Sequence, residues 1–221
     1  MPMAPDQPAA PGRRQDEKLF LVIVIALALV AGVGSWFAAA ALSHWEKPHG
    51  IPPDRERRLG DFSLIDTAGR TVTRNELSGE ILVVSFLFTS CSLTCPEVTR
   101  HMAEIQQLTA TNTGVRLISL TVDPRSDTAP VLAKWGARFG ADTNHWLLLT
   151  GDKATLHGLI GRSFLAQDTG DPFNSMPGNF TGTDRIGLVD KRGTLRIFFD
   201  GLRNETPAAV AAEIAKLLKE N

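Results

Sequence analysis

Ile81-Leu82-Val83-Val84-Ser85-Phe86-Leu87-Phe88-Thr89-Ser90-Cys91-Ser92-Leu93-Thr94-Cys95-Pro96 decides how this chain is read. Residues 81–89 form a near-continuous apolar run, the pattern of a strand buried on both faces of a sheet. Pro96 follows where a helix accepts proline, in its first turn. Between strand and helix stand Cys91 and Cys95, the only two cysteines in the 221 residues. Their spacing is about one helical turn, so at a helix start both sulfurs face the same side. Two thiols so placed can close a disulfide or grip one soft metal ion. Buried, inert cysteines are the alternative, since free cysteine is among the most buried residue types. The spacing at a strand-to-helix turn argues against that alternative.

Downstream, residues 97–109 carry Val98, Met102, Ile105 and Leu108 at helical spacing, with Met102 read as core rather than ligand. Residues 115–122 read as a second buried strand, 128–139 as a helix and 145–149 as a third strand. Asp152 is placed to cap a helix ending near Gly161. Residues 185–189 and 194–199 flank Asp190-Lys191-Arg192-Gly193 as an antiparallel hairpin, and 207–219 read as an amphipathic helix. Upstream, 62–65 and 71–73 bracket Asp66-Thr67-Ala68-Gly69-Arg70 as a small hairpin. Strands alternating with helices predict an α/β fold, with a mostly parallel central sheet and an antiparallel edge hairpin. On that plan the cysteines sit at the carboxyl end of the first central strand, the edge at which open α/β sheets bind and react. A helix N-terminus also favours the thiolate, which attacks disulfides and binds metals.

A net charge of -1 on an ordinary globular composition gives no sign of a nucleic-acid partner. The N-terminus departs from that composition. Residues 19–42, LFLVIVIALALVAGVGSWFAAAAL, hold no charged side chain, and a bilayer core is crossed by about 20 apolar residues. Arg13, Arg14 and Lys18 precede the run, with Asp16 and Glu17 among them, and favour an N-terminus in the cytoplasm. Trp36 and Trp45 suit the far interface. A cleaved signal peptide, with Ala39-Ala40-Ala41 as its small-residue site, would have a shorter apolar core of about 7–15 residues. A single uncleaved transmembrane helix in the inner (cytoplasmic) membrane is therefore expected. The domain then faces the periplasm or an equivalent extracytoplasmic space, where a disulfide persists. Residues 1–18 read as a disordered cytoplasmic tail, 43–59 as a linker containing His44 and His49, and 60–221 as one domain.

With the cysteine motif on its turn, the chain resembles the SCO/SenC family of membrane-tethered, thioredoxin-like proteins. The matching residues are Phe88-Thr89 with Cys91-Ser92-Leu93-Thr94-Cys95-Pro96, then Ser119-Leu120-Thr121-Val122-Asp123-Pro124 with Asp127-Thr128. Phe139-Gly140-Ala141-Asp142 and Trp146-Leu147-Leu148-Leu149-Thr150-Gly151 follow, and the resemblance covers nearly all of residues 60–220. It implies a thioredoxin-like fold and copper handling in cytochrome oxidase assembly, with that oxidase's copper subunit or another cuproprotein as partner. In some members it implies thiol–disulfide reduction. It also implies a copper site made by the two cysteines and a distal histidine, just before the strand of the late hairpin. Aligning on Ile186-Gly187-Leu188-Val189-Asp190 puts Gly182 at that histidine's position, and no histidine follows His157.

Substitutes for the missing donor are few. His101 lies about 240° around the helix from Cys95 and should point away, as a surface or partly buried residue. His145 and His157 read as structural, and His44 and His49 as solvated. Met176, in Asn174-Ser175-Met176-Pro177-Gly178-Asn179, offers a thioether suited to Cu(I), and Asp184 a harder ligand suited to Cu(II). Asp123 reads as the cap of the turn at Pro124. Three functions stay open. One is a metallochaperone holding copper, with Cu(I) favoured, on Cys91 and Cys95. Another is a thiol–disulfide oxidoreductase with the same two residues as its catalytic redox pair. The third is a non-catalytic assembly or sensing subunit. The resemblance favours the first.

Overall fold

The computed structural model describes residues 50–51, 56–164 and 184–220. The apolar run 19–42 lies outside them, and among the described residues no helix is long and apolar enough to cross a membrane. The strands are β1 (Gly50–Ile51), β2 (Ser63–Ile65), β3 (Thr71–Thr73), β4 (Ile81–Leu87), β5 (Val115–Thr121), β6 (Trp146–Leu149), β7 (Arg185–Val189) and β8 (Leu195–Asp200). The helices are α1 (Thr94–Thr109), α2 (Ala129–Arg138), α3 (Lys153–Ser163) and α4 (Thr206–Leu217).

Every residue of β4 is buried, as its near-continuous apolar run predicts. Side chains alternate across the sheet. Leu82, Val84 and Phe86 pack with Leu64, Ile118, Leu120, Leu156 and Ile160, between the sheet and α3. Ile81, Val83 and Leu87 pack on the other face with Cys95, Met102, Ile105, Leu132 and Ile214, from α1, α2 and α4. Two apolar layers around one sheet thus fix β4 as the centre of the fold.

The sheet runs β1-β8-β7-β4-β5-β6, with β2 and β3 forming a separate hairpin. The β4–β5 and β5–β6 pairs are parallel, whereas β4–β7, β7–β8 and β1–β8 are antiparallel. The sheet is therefore mixed rather than mostly parallel, and the late hairpin is not at its edge. Ile186 to Val189 are all buried, which marks a central strand. Apolar periodicity reports burial but not strand direction, so the orientation of β7 was not in the pattern. The hairpin turn itself is built as the sequence suggests. Asp190 Oδ1 accepts the N–H groups of Arg192 and Thr194 at 3.0 and 2.8 Å, and Gly193 takes the positive φ of +80°.

Gly50 and Ile51 pair with Phe199 and Phe198, and Arg57 and Leu59 are buried, so packed structure begins upstream of residue 60. On α1 the inward stripe is Cys95, Val98, Met102, Ile105 and Thr109. Leu108, expected in that stripe, is 54% exposed. The stripe passes to Thr109 instead, whose hydroxyl donates to the Ile105 carbonyl at 2.7 Å. Asp152 caps α3 as expected, accepting the Thr155 N–H at 2.9 Å.

Candidate functional site: a dithiol at the end of the central strand

The carboxyl end of β4 lies beside the end of parallel β5 and the start of antiparallel β7. There the chain turns at Phe88, whose carbonyl accepts the Cys91 N–H at 3.0 Å. Leu93 precedes α1 without a side-chain cap. The first-turn N–H of Cys95, a donor that no helical carbonyl can satisfy, goes to Cys91 Sγ at 3.3 Å. Cys91 thus supplies the acceptor that a capping side chain otherwise provides. Pro96, next in line, has no N–H to satisfy.

Both cysteines are free thiols, Cys91 half-buried and Cys95 buried. Partial burial pushes the Cys91 thiol up, but hydrogen bonds from the Cys95 thiol, the Thr94 hydroxyl and the backbone N–H groups of Cys95 and Leu93 outweigh it. The net effect lowers Cys91 to about 7. Burial pushes the Cys95 thiol up to about 12, reinforced by the hydrogen bond it gives Cys91. The two titrate as a pair in which Cys91 gives up its proton first. Thr94 Oγ1 sits 3.5 Å from Cys91 Sγ. Leu93, between the cysteines, is 85% exposed.

Among the described residues no group of three His, Cys, Asp or Glu side chains could hold a metal ion. Cys91 and Cys95 are brought together, and among the described residues no carboxylate or imidazole joins them in such a group. Asp184 stands directly before β7, where its carbonyl accepts the Gly201 N–H at 2.6 Å. Met176, Gly182, His44 and His49 lie outside the described residues.

The remaining histidines have structural partners or surroundings. His101 turns to Gly201 and Arg100, and it is fully buried rather than at the surface. Its Nδ1–H donates to the Gly201 carbonyl at 2.7 Å, which leaves Nε2 to accept from Arg100 Nη2 at 2.8 Å. The β8–α4 turn that covers it is remote in sequence. His145 directly precedes β6 at the opposite sheet edge, and burial followed by the nearby Arg116 lowers its pKa. His157 Nε2 donates to the Val122 carbonyl at 3.3 Å.

Two residues near the dithiol were not marked by spacing. Thr94 is one, through its hydroxyl beside Cys91. Asp127 is the other: it is 1% exposed and accepts the Thr89 hydroxyl at 2.5 Å. Asp123 instead caps through its backbone, its carbonyl accepting the N–H groups of Ser126 and Asp127 at 3.2 and 2.9 Å.

Comparison with known proteins agrees with this geometry. The SCO1/SenC family model matches residues 52–219. A Bacillus subtilis SCO1 protein homolog is 37% identical over 91 residues, which are 41% of this chain and 47% of that relative, so the chain spans about half its length. A structure of BsSco, described as a member of the Sco family of cytochrome c oxidase assembly proteins with a disulfide switch, superposes with a TM-score of 0.61. It is 25% identical, over 77% of this chain and 99% of that one. ScoI of Bradyrhizobium japonicum, solved with copper bound, has a TM-score of 0.57 and 26% identity, over 72% of this chain and 98% of its own.

Proposed function

This chain belongs to the SCO1/SenC family, and on that ground we propose that it carries copper, as Cu(I), on Cys91 and Cys95 for delivery to a cytochrome oxidase copper subunit or another cuproprotein. The observation that carries this reading is the dithiol itself: two free thiols at the carboxyl end of the central strand, Cys91 half-buried and Cys95 buried, joined by the 3.3 Å bond from Cys95 N–H to Cys91 Sγ. Copper-bound ScoI and the assembly role of BsSco support it. The donor set fits the ion, since soft thiolates hold Cu(I) at low coordination number. Cys91 is close to its thiolate form at neutral pH, whereas Cys95 holds its proton until a ligand displaces it. Loading therefore releases protons. The family resemblance puts Gly182 at its histidine's position, so the two thiolates alone would hold Cu(I), any third donor would come from Met176, Asp184 or the client, and Cu(II) should bind far more weakly than Cu(I).

The test is titration of the reduced full-length protein, in detergent, with Cu(I) against a competing chelator. One equivalent should bind, and Cys91→Ser or Cys95→Ser should abolish it; no binding by the wild type sinks the proposal. Residues 19–42 would hold the protein in the inner membrane with its N-terminus in the cytoplasm and its domain in the periplasm. That part rests on the charge-free run and the basic residues before it. A periplasmic-only reporter fused after Asn221 should be active, and inactivity would overturn the orientation.

The split between Cys91 at about 7 and Cys95 at about 12 favours a second reading, thiol–disulfide exchange. The Cys91 thiolate would attack a partner disulfide and expel one partner thiolate. Cys95, losing its proton, would then attack Cys91 Sγ and expel the other. The partner gains two electrons and the chain ends as a Cys91–Cys95 disulfide. Negligible exchange with a model disulfide would remove this reading.

A further inference from the structure

We propose that Asp127 is the positioning residue of the dithiol, its buried carboxylate clamping Thr89 and so holding the Phe88–Cys91 turn against the end of β5. Asp127 Oδ1 accepts the Thr89 N–H at 3.2 Å and the Thr89 hydroxyl at 2.5 Å. Its Oδ2 accepts the same N–H at 3.2 Å and the Thr121 hydroxyl at 2.6 Å. These donors are all neutral, and the side chain is 1% exposed. A buried carboxylate is costly to keep, so a site that holds one with neutral donors needs what only that group supplies. It is an acceptor on both oxygens, whereas an amide would turn a donor toward one of these donors.

The clamp joins two loops that the sequence keeps far apart. Thr121 ends β5, and its oxygen also accepts the Asp123 N–H at 3.0 Å. The Asp127 N–H closes the same loop on the Asp123 carbonyl at 2.9 Å, and the Val122 N–H reaches back to Leu87 at 2.9 Å. On the other side, Thr89 is the residue after Phe88 in the turn that ends on Cys91. Cys91 Sγ sits on this loop, but the Cys95 N–H that it accepts at 3.3 Å belongs to α1. That contact forms only while loop and helix are both held. Freeing Thr89 therefore weakens the support of the Cys91 sulfur, disfavours the reduced pair and lowers its reduction potential.

The proposal rests on Cys91–Cys95 being the reactive site, and its test uses thiol chemistry without metal. Failure to bind copper would overturn the copper reading and leave this one standing. The reduction potential of the pair, in glutathione buffers, and the rate of Cys91 alkylation at neutral pH are measured in the full-length protein. Thr89→Val and Asp127→Ala should shift the dithiol–disulfide equilibrium about tenfold toward the disulfide, about 30 mV for a two-electron couple, and slow alkylation several-fold. Thr89→Ser, which keeps the hydroxyl and the N–H, should match the wild type. Wild-type potential and alkylation in Thr89→Val overturn the proposal whatever happens to thermal stability. So does a Thr89→Ser protein that behaves like Thr89→Val. If Asp127→Ala does not fold, the two Thr89 variants decide.

Discussion

The imidazole of His101 donates at 2.7 Å to the carbonyl of Gly201, tying the helix that carries Cys95 to the turn between β8 and α4. The Gly201 N–H in turn donates to Asp184, just ahead of β7, at 2.6 Å. A Cβ on Gly201 would lie 2.8 Å from the Asp184 carbonyl oxygen and 3.0 Å from Val98 Cγ2. Gly201→Ala should therefore destabilise the protein by about 1–3 kcal/mol, the usual cost of overpacking. Thermal unfolding checks this, and an unchanged midpoint would show that the turn yields freely.

The cysteines give the reduced protein a distinct dependence on pH. Cys91 falls from 9.0 in an unfolded chain to about 7 when folded, so between those values the unfolded state binds more protons. Its contribution is fully present above 9.0 and is lost as pH falls through 7. Cys95 has the opposite sign, rising from 9.0 to about 12, so its contribution is lost as pH climbs above 9.0. Denaturant midpoints of the reduced form, minus those of the disulfide form, should peak near pH 9 across about pH 6 to 10. A flat difference contradicts the asymmetry.

Thr94 supports the Cys91 thiolate through its hydroxyl. Thr94→Val should raise the Cys91 pKa, moving the midpoint of its alkylation rate upward from about 7. The rate at neutral pH should fall by a factor of a few. A pH–rate profile that superimposes on the wild type would exclude the hydroxyl as a contributor.

Gly182→His returns a donor at the position where the family resemblance calls for one. The variant should bind Cu(II) at least about tenfold more tightly than the parent, with imidazole as a borderline ligand beside two thiolates. Its Cu(I) affinity should change less. Electron paramagnetic resonance under chelator competition reads the difference, and equal Cu(II) affinity would mean residue 182 does not reach the metal.

The central strand, the cysteine turn and the helices were legible because each leaves a local mark: a near-continuous apolar run, a proline in a first turn, a 3.6-residue stripe. What escaped was set by remote partners. The direction of β7 depends on which strand it pairs with, and its apolar residues say only that it is buried. The burial of His101 depends on Gly201, a hundred positions away. Asp123 and Asp127 stand in one motif, where only Asp123 was given a role as a cap, and folding shows that it closes its loop through its backbone while Asp127 grips Thr89.

The antiparallel register of β7 on β4, with Gly187 opposite Val84 and Ile186 opposite Ser85, has an evolutionary side. The chain enters β7 at the very edge where β4 leaves the sheet. Ile186 and Gly187, which make this pairing, are buried, whereas Arg185 just before them is exposed and Asp184 is half-buried. The pairing and the chemistry displayed at its mouth can therefore be inherited separately. A lineage can change the side chains at 184 and 185 while the residues that carry the pairing stay as they are.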